Sequence, residues 1–307
     1  MPRLTVCCTD TKIAPWLAGL RAALPGWEVE EWQPGAPRAQ AAVVWAPPQQ
    51  FLDEQQELRH IFNIGAGVDA LMKLRLPADA VVVRLDDAGM SVQMAEYVCH
   101  ALIRHFREFD GYEQDANELR WNFRRPRLRA DYPVGIMGLG VLGQRVAQAV
   151  AAFEFPVRGW SRSAKEVAGV ECFAGEAQFD AFLRGTRVLV NLLPLTPETE
   201  NIMDRDTLGR LLPGALVINV ARGRHLVDAD LLALLDSGHL AGAVLDVFRT
   251  EPLPANHPFW RHPKIRVTPH TSARTLRDES IAQIAGKIRA LQQGEPIAGV
   301  VDRNRGY

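Results

Sequence analysis

The sequence has few cysteines and no pattern that would pair them. Among its 307 residues there are four, Cys7, Cys8, Cys99 and Cys172, and none belongs to a C-x-x-C pair or has a histidine at metal-ligand spacing. Each lies in an apolar stretch, where a free cysteine is usually a small buried hydrophobe. We therefore expect no disulfide framework and no metal site, and reduced thiols that fit the cytosol.

Long apolar runs and an excess of charge of either sign are also missing. No segment approaches the roughly 20 apolar residues that span a bilayer, and the apolar run at the N-terminus is too short for a signal peptide. The 35 Lys and Arg nearly balance the 36 Asp and Glu, which argues against a nucleic acid or a membrane surface as a partner. The sequence therefore predicts a cytoplasmic protein that binds neither.

One segment departs from this neutral background. Residues 112–129 combine Trp121 and Phe123 with five arginines. Basic and aromatic side chains together can indicate nucleic acid, but one short arm in a neutral protein more often forms a solvated face or a subunit contact. We therefore expect no nucleic acid at this segment.

What the sequence does contain is a regular alternation of apolar strands with helices. Such an alternation indicates parallel sheets that are buried between helices. The predicted strands cover residues 4–8, 29–32, 41–45, 61–64, 134–137, 157–160, 188–193, 215–220, 243–247 and 265–268. The predicted helices include one that is capped by Asp10 or Thr11, one over residues 91–109 that is capped by Ser91, one over 230–235 and one over 275–292.

A glycine-rich turn lies between a strand and a helix near the middle of the chain. It reads P-V-G-I-M-G-L-G-V-L-G and runs directly into a helical pattern. In Gly138-x-Gly140-x-x-Gly143 the first glycine permits a tight turn, the second lets a pyrophosphate approach bare backbone, and the third lets helix and strand pack closely. The amides of Val141 and Leu142 would face the phosphates at the helix N-terminus. The pattern predicts a dinucleotide site rather than an ordinary turn.

The second strand of this region ends on a basic rather than an acidic sequence. An acidic residue usually holds the ribose 2′-hydroxyl of NAD at that place, but Ser161, Arg162 and Ser163 stand there instead. An arginine flanked by hydroxyls suits a 2′-phosphate, with which it can form charge-assisted, bidentate hydrogen bonds. An exposed arginine in a polar loop is the alternative, but the pattern favours NADP over NAD.

A second glycine-flanked loop, Gly65-Ala66-Gly67-Val68-Asp69, follows a predicted strand in the N-terminal region. Backbone amides in such a loop can bind a small anion at the edge of a parallel sheet where ligands collect. A plain turn explains the spacing equally well. From spacing alone, both interpretations stay open.

Residues at the C-terminal ends of the predicted strands in the second half of the chain mark the place where chemistry is expected. They are Pro194, Arg222, Asp246 and His270, with Glu251 in the loop R-T-E-P-L-P. Because the carboxyl ends of parallel strands meet at one edge, we expect Arg222, Glu251 and His270 to meet near the nicotinamide. A histidine whose proton is held by a carboxylate can protonate a developing alkoxide. An arginine offers a fixed fork of donors to a 2-oxo acid.

The last predicted helix decides the domain organisation. Its isoleucines recur at helical spacing, and we expect it to pack back on the N-terminal lobe. The predicted fold class is therefore α/β, with two Rossmann-like lobes that contain parallel sheets and with the substrate lobe discontinuous in sequence. Residues 1–99 and 276–307 are predicted to form the substrate-binding lobe, and residues 100–275 the dinucleotide-binding lobe.

Five motifs in one order resemble a known family. They are V-G-I-M-G-L-G-V-L-G, N-L-L-P-L-T-P-E-T, I-N-V-A-R-G, V-L-D-V-F-x-x-E-P-L-P and V-T-P-H. Together they resemble the D-isomer-specific 2-hydroxyacid dehydrogenases over nearly the whole chain. Within that family, the closing V-D-R-x-x-G-Y, the V-V-W-A-P-P segment and the W-S-R-S loop are similar to the glyoxylate/hydroxypyruvate reductase A type.

The resemblance implies an oxidoreductase and assigns roles to its residues. It implies that small 2-oxo acids are reduced, glyoxylate to glycolate and hydroxypyruvate to glycerate, by a homodimer. It makes Arg222 the residue that binds and orients the substrate, Glu251 the partner of His270, and His270 the general acid and base. The residues that it assigns to the substrate are Trp45, which narrows the pocket, Ala66 and Gly67, whose amides bind the carboxylate, and Arg222.

The resemblance also implies the cofactor contacts, with Asp246 on the nicotinamide carboxamide side. The expected contacts are Gly138, Gly140, Val141, Leu142, Gly143, Ser161, Arg162, Ser163, Leu193, Pro194, Val220, Ala221, Asp246 and Ser272. The missing acidic residue departs from the wider family, so NADPH is the expected cofactor and NADH the alternative. Two other functions stay open, a nucleotide-sensing regulatory protein of the same fold and a dehydrogenase for a larger 2-hydroxy acid.

Overall fold

The computed structural model describes residues 1–9, 11–303, 305 and 306. The packing of Cα atoms divides the chain into two compact units. Unit 1 consists of Met1–Met90 and Arg274–Tyr307, and unit 2 of Ser91–Ala273. None of the helices in the described ranges is both long and apolar enough to cross a membrane.

Unit 1 contains a parallel sheet of five strands. Its elements in chain order are β1 (Arg3–Cys8), α1 (Ile13–Ala23), β2 (Glu28–Glu31), β3 (Ala41–Trp45), α2 (Gln49–Glu54), β4 (His60–Asn63) and β5 (Val81–Arg84). The strands lie in the order β2-β1-β3-β4-β5, and all neighbours run parallel. Strands β1 to β4 confirm the predicted strands of this region, whereas β5 and α2 were not predicted.

The cap that was predicted for the first helix is not at Thr11. Helix α1 begins after Lys12, whose side chain makes no capping hydrogen bond. The other predicted cap, Asp10, lies outside the described residues. The apolar face of this helix, with Trp16 and Leu20 buried, holds the helix on the sheet without a capping side chain.

Unit 2 contains a parallel sheet of seven strands. Its elements in chain order are α3 (Met90–Phe106), α4 (Phe109–Asn117), β6 (Val134–Met137), α5 (Val141–Ala152), β7 (Val157–Ser161), β8 (Val170–Ala174), α6 (Phe179–Arg184), β9 (Val188–Asn191), α7 (Arg205–Gly209), β10 (Ala215–Asn219), α8 (Asp228–Asp236), β11 (Leu240–Leu245) and β12 (Ile265–Val267). The chain then returns to unit 1 and ends with α9 (Arg277–Gln292).

The strand order of unit 2 creates one switch point. The order is β12-β11-β10-β9-β6-β7-β8, and all neighbours run parallel. The chain therefore builds outward from β6 to one side, then returns to build outward from β9 to the other. In doubly wound sheets dinucleotides bind beyond the carboxyl ends of the two strands where the order reverses. The predicted α/β class with two Rossmann-like parallel sheets is confirmed.

The helix between the units begins earlier than predicted. Helix α3 starts at Met90, so Ser91 lies inside its first turn. The unit boundary likewise falls between residues 90 and 91, before the predicted boundary at residues 99 and 100. The reason is packing, because Met94 and Val98 lie in one buried cluster with Val146 of α5. The whole helix therefore packs with unit 2.

Helix α9 belongs to unit 1 by its packing. Ile281, Ile284 and Ile288 lie in one buried cluster with Leu20 of α1 and Val6 of β1. Their spacing of three and four residues places them on one helical face. This apolar face holds the C-terminal stretch against the N-terminal sheet.

The segment after α4 exposes large apolar side chains. Residues 118–128 form no helix or strand, and Leu119, Trp121, Phe123 and Leu128 are all exposed, Trp121 completely. The segment is held at its base by Asp115, a buried carboxylate that forms ion pairs with arginines of the segment. The basic and aromatic segment therefore also exposes large apolar side chains.

Candidate active site

The glycine turn joins β6 to α5 at the switch point of the sheet. Gly138 has φ of +102°, which side chains rarely adopt, and a Cβ on Gly143 would lie 1.8 Å from the Gly138 carbonyl oxygen. A Cβ on Gly140 would meet nothing within 4 Å, which leaves its backbone open to a ligand. The amides of Val141 and Leu142 lie in the first turn of α5, where no intrahelical acceptor exists. A turn of this kind can bind a phosphate.

The Ser161-Arg162-Ser163 sequence lies where β7 ends. Ser161 is buried, and its hydroxyl donates to the Ser163 carbonyl at 2.8 Å, which closes the turn. Arg162 and Ser163 are exposed beyond that turn. Of the three residues, Ser161 therefore shapes the loop, while Arg162 is an exposed residue beyond it.

Three buried polar side chains that were not predicted link the ends of β9 and β10. Asn191 Nδ2 lies 2.9 Å from His225 Nδ1 and 3.1 Å from Asn219 Oδ1, and all three side chains are fully buried. The other ring nitrogen of His225 lies 3.2 Å from the Pro194 carbonyl, and Asn219 Nδ2 donates to the Arg222 carbonyl at 3.0 Å. The network fixes both loops relative to each other.

This network also explains why the two strands end before the predicted residues. The amides of Leu193 and Ala221 donate to the side-chain oxygens of Asn191 and Asn219, so the backbone leaves the sheet at each asparagine. The predicted cofactor residues on these loops are Leu193, Pro194, Val220 and Ala221. An asparagine at the end of an otherwise apolar strand is a signal that the sequence did contain, since N-L-L-P and I-N-V-A both show it.

Glu251 and His270 form an ion pair in the loops beyond β11 and β12. His270 Nδ1 lies 2.8 Å from Glu251 Oε2, and Glu251 Oε1 accepts the Phe248 amide at 2.9 Å. A carboxylate can only accept, so the shared proton is on Nδ1 and Nε2 is left for a substrate. His270 is nearly half exposed. The pair can therefore hold and donate a proton at the surface of unit 2.

Arg222 is close enough for its charge to lower the pKa of Glu251. Burial acts to raise the pKa of Glu251, but hydrogen bonds from His270 and the Phe248 amide, with the charges of His270 and Arg222, lower it below its ordinary value. Arg222 itself is half-buried, and its Nη1 donates to the Ala221 carbonyl at 2.7 Å. The structure thus brings together the three residues that were predicted to meet.

Asp246 is fully buried, and its carboxylate accepts hydrogen bonds from backbone amides of a nearby loop. Its Oδ1 accepts the Thr271 amide at 2.9 Å and its Oδ2 accepts the Ser272 amide at 2.8 Å. His270, directly before these two residues in the same loop, has φ of +52°, a conformation that costs a residue with a Cβ about 1–3 kcal/mol. Asp246 therefore holds the loop in which His270 lies.

In unit 1 the loop after β4 is fixed by an asparagine that was not predicted. Asn63 Nδ2 donates to the carbonyl oxygens of Gly65 and Gly67, both at 3.0 Å. Trp45, at the end of β3, packs so closely on Gly65 that a Cβ there would lie 2.5 Å from its ring. The loop that carries Ala66 thus has a defined shape and contacts Trp45. Within the described residues, no group of three or more His, Cys, Asp or Glu could hold a metal ion.

Known proteins resemble the chain over its full length. The family model for D-isomer specific 2-hydroxyacid dehydrogenase, NAD binding domain, matches residues 99–272. The chain is 48% identical over 299 residues to glyoxylate/hydroxypyruvate reductase A of Serratia proteamaculans, with 95% of this chain and 96% of that relative covered. A D-isomer specific 2-hydroxyacid dehydrogenase from Xanthobacter autotrophicus, in complex with NADPH and MES, is similar with a TM-score of 0.94 and 39% identity over 100% and 99% of the two chains.

A second solved structure is equally similar. It is an NADPH-dependent glyoxylate/hydroxypyruvate reductase from Sinorhizobium meliloti in complex with NADP and sulfate, with a TM-score of 0.94 and 35% identity over 100% of both chains. The glycine turn at the switch point and the His270 and Glu251 pair lie within the matched region. The chain therefore belongs to the family of D-isomer-specific 2-hydroxyacid dehydrogenases.

Proposed function

We propose that the protein reduces small 2-oxo acids with NADPH, glyoxylate to glycolate and hydroxypyruvate to glycerate. The observation that carries the proposal is the 2.8 Å contact between His270 Nδ1 and Glu251 Oε2 in the unit that also contains the glycine turn. The substrate class is supported by relatives that are named glyoxylate/hydroxypyruvate reductase A.

His270, Glu251 and Arg222 each have a separate role in the proposed reduction. NADPH, when bound, supplies a hydride. His270 donates a proton from Nε2 to the carbonyl oxygen of the substrate, while Glu251 holds the opposite nitrogen and stabilises the charged ring. Arg222 orients the substrate with its planar fork of donors and stabilises the negative charge that develops on the oxygen. In the reverse direction, neutral His270 accepts the proton of the hydroxy acid.

NADPH is the proposed cofactor, and NADH is a weaker alternative. The amides of Val141 and Leu142 bind the pyrophosphate, and Arg162 pairs with the 2′-phosphate. Two similar structures contain NADPH or NADP, which supports this choice. NADH has no 2′-phosphate and gains nothing from Arg162.

The loop of unit 1 is the proposed site for the substrate carboxylate. The amides of Ala66 and Gly67 bind the carboxylate, and Trp45 limits the size of the substrate. Support comes from the hydrogen bonds of Asn63, which turn the carbonyls of Gly65 and Gly67 toward itself and so fix the direction of the loop backbone.

A second copy of the chain in the cytoplasm is the proposed partner. The exposed Leu119, Trp121, Phe123 and Leu128 form an apolar surface of the kind that marks a protein interface. Light scattering should show a dimer, and Trp121→Ser combined with Phe123→Ser should shift it to a monomer. A wild-type protein that stays monomeric at all concentrations would contradict this.

Turnover with purified protein tests the function. NADPH oxidation should be fast with glyoxylate and hydroxypyruvate and slower with 2-oxo acids of larger side chain. Faster turnover of a larger 2-oxo acid would replace the substrates that are proposed here. Absence of turnover with all of them, while NADPH binds, would indicate a regulatory binding protein instead.

A further inference from the structure

Two hydroxyl groups link helix α3 to the loop that carries His270. Tyr97 Oη lies 2.5 Å from Thr268 Oγ1, and Thr268 Oγ1 lies 2.5 Å from Asp246 Oδ1. An ionised carboxylate only accepts hydrogen bonds, so the Thr268 hydroxyl donates its one proton to Asp246. The Thr268 oxygen must then accept a hydrogen bond from the Tyr97 hydroxyl. The chain of hydrogen bonds therefore has one direction, from Tyr97 through Thr268 to Asp246.

The surroundings keep this direction fixed. Asp246 is fully buried, where a carboxylate needs hydrogen-bond donors to offset the loss of water. Burial raises the pKa of Tyr97 to about 12. The hydrogen bond with Thr268 acts to lower this pKa, and the charge of Asp246 acts to raise it further. Tyr97 thus stays protonated, and remains a donor, over the whole physiological range.

Asp246 connects this chain to His270. Its carboxylate accepts the Thr271 and Ser272 amides, and its backbone carbonyl accepts the His270 amide at 2.8 Å. His270 itself has φ of +52°, and such a backbone persists only where its surroundings hold it. If Asp246 turned, the donors on both sides of His270 would lose their acceptor.

We propose that Tyr97 and Thr268 are positioning residues for proton transfer, which orient Asp246 and thereby hold residues 268–272 with His270 against Glu251. This inference rests on the proposed function, because it concerns the same proton donor. Both residues act through Asp246 and the loop. The hydroxyl groups, and not the bulk of the side chains, carry the effect.

A matched pair of variants at Thr268 separates hydroxyl from bulk. Thr268→Val keeps the shape but removes the donor, so kcat for reduction should fall about 10- to 100-fold, as for a reacting group that is displaced by about 1 Å. Thr268→Ser keeps the hydroxyl and should restore most of kcat. Because Asp246 is also a proposed cofactor contact, kcat is measured at saturating NADPH in both variants, so that weaker cofactor binding does not enter the comparison. Equal kcat values for the two variants would overturn the proposal.

A double-mutant cycle tests the direction of the chain. Tyr97→Phe should lower kcat about two- to tenfold, which corresponds to one net hydrogen bond. In a Thr268→Val background the same change should alter kcat by less than about twofold, because its acceptor is already lost. Equal effects of Tyr97→Phe in both backgrounds would show that Tyr97 acts independently of Thr268 and would overturn the proposal.

A readout without substrate separates this inference from the proposed function. The ring nitrogen resonances of His270, assigned with His270→Ala, should shift in Thr268→Val and stay at the wild-type position in Thr268→Ser. A wild type that turns over no 2-oxo acid would refute the proposed function but not this result. Resonances that are identical in all three proteins would overturn the inference even if turnover occurs.

Discussion

The hydrogen-bonded pair of His270 and Glu251 is the residue-scale feature on which the proposed reduction depends. The pKa of Glu251 lies below its ordinary value, because its hydrogen bonds and the charges of His270 and Arg222 outweigh burial. A carboxyl group with a lowered pKa stays ionised to lower pH. The Glu251 carboxylate therefore stays ionised at neutral pH, and it stops accepting as a carboxylate only when the pH falls through its lowered pKa.

Glu251→Gln tests this pair. The amide can accept from His270 or from the Phe248 amide, but not from both, so kcat for reduction at neutral pH should fall about 10- to 100-fold, or roughly 1.5–3 kcal/mol. Wild-type kcat, measured against pH, should fall along an acid limb at a pH below the ordinary pKa of glutamate. The variant should lack that limb. Superimposable profiles would contradict the role of Glu251.

Arg162→Ala tests the choice of cofactor. The variant should bind NADPH more weakly by about 1.5–3 kcal/mol, the range for a hydrogen bond to a charged group, and NADH almost unchanged. Titration of both cofactors by fluorescence measures the difference. Arg205→Ala, which removes another exposed arginine, serves as the control. Equal losses for NADPH and NADH would show that Arg162 does not contact the 2′-phosphate.

At the scale of elements, the glycine turn between β6 and α5 is a tightly constrained connection in the proposed cofactor site. Gly143→Ala would place a Cβ 1.8 Å from the Gly138 carbonyl oxygen, so the first turn of α5 must move. We expect NADPH affinity to fall at least tenfold, about 1.4 kcal/mol. Gly286→Ala in α9, where a Cβ meets nothing within 4 Å, should instead stabilise the protein by about 0.5–1 kcal/mol. Normal NADPH binding by Gly143→Ala would contradict the role of the turn.

Elements with a local signal could be predicted, and long-range contacts could not. The alternation of apolar runs indicated most of the strands, and the glycine spacing indicated the turn, because both depend on neighbouring residues. The network of Asn191, Asn219 and His225 joins residues that are 28 and 34 positions apart, so a local pattern can show an asparagine at the end of each strand but not that these side chains contact one another. The start of α3 was also misplaced, because the prediction took Ser91 as the cap whereas the helix begins at Met90.

At the scale of the whole molecule, unit 1 is held together by contacts between its two stretches of sequence. Lys287 on α9 is almost fully buried, and its Nζ lies 2.8 Å from Asp86 Oδ2 and donates to the carbonyl oxygens of Arg84 and Ala298. Val300 also forms an antiparallel bridge with Val83 of β5. One lysine thus connects α9, the end of β5 and the C-terminal segment.

Lys287→Met should therefore destabilise unit 1. Removing the ammonium leaves two carbonyl oxygens and a carboxylate without their shared donor, and we expect the free energy of unfolding to fall by about 1.5–3 kcal/mol. Chemical denaturation measures this loss. Lys12→Met at an exposed position should stay within about 0.5 kcal/mol of the wild type. If both variants were equally stable, Lys287 would not hold the two stretches together.

The rate of hydride transfer in His270→Ala tests the proposed reduction most directly. Enzyme loaded with NADPH is mixed rapidly with glyoxylate, and the decay of NADPH is followed over a single turnover, with the NADPH dissociation constant measured on the same protein. We expect NADPH binding to stay within about twofold of the wild type, because the proposed cofactor contacts do not include this side chain. The transfer rate should fall about 100- to 10,000-fold, the contribution of a positioned general acid. A transfer rate within tenfold of the wild type would contradict the assignment of His270 as the proton donor.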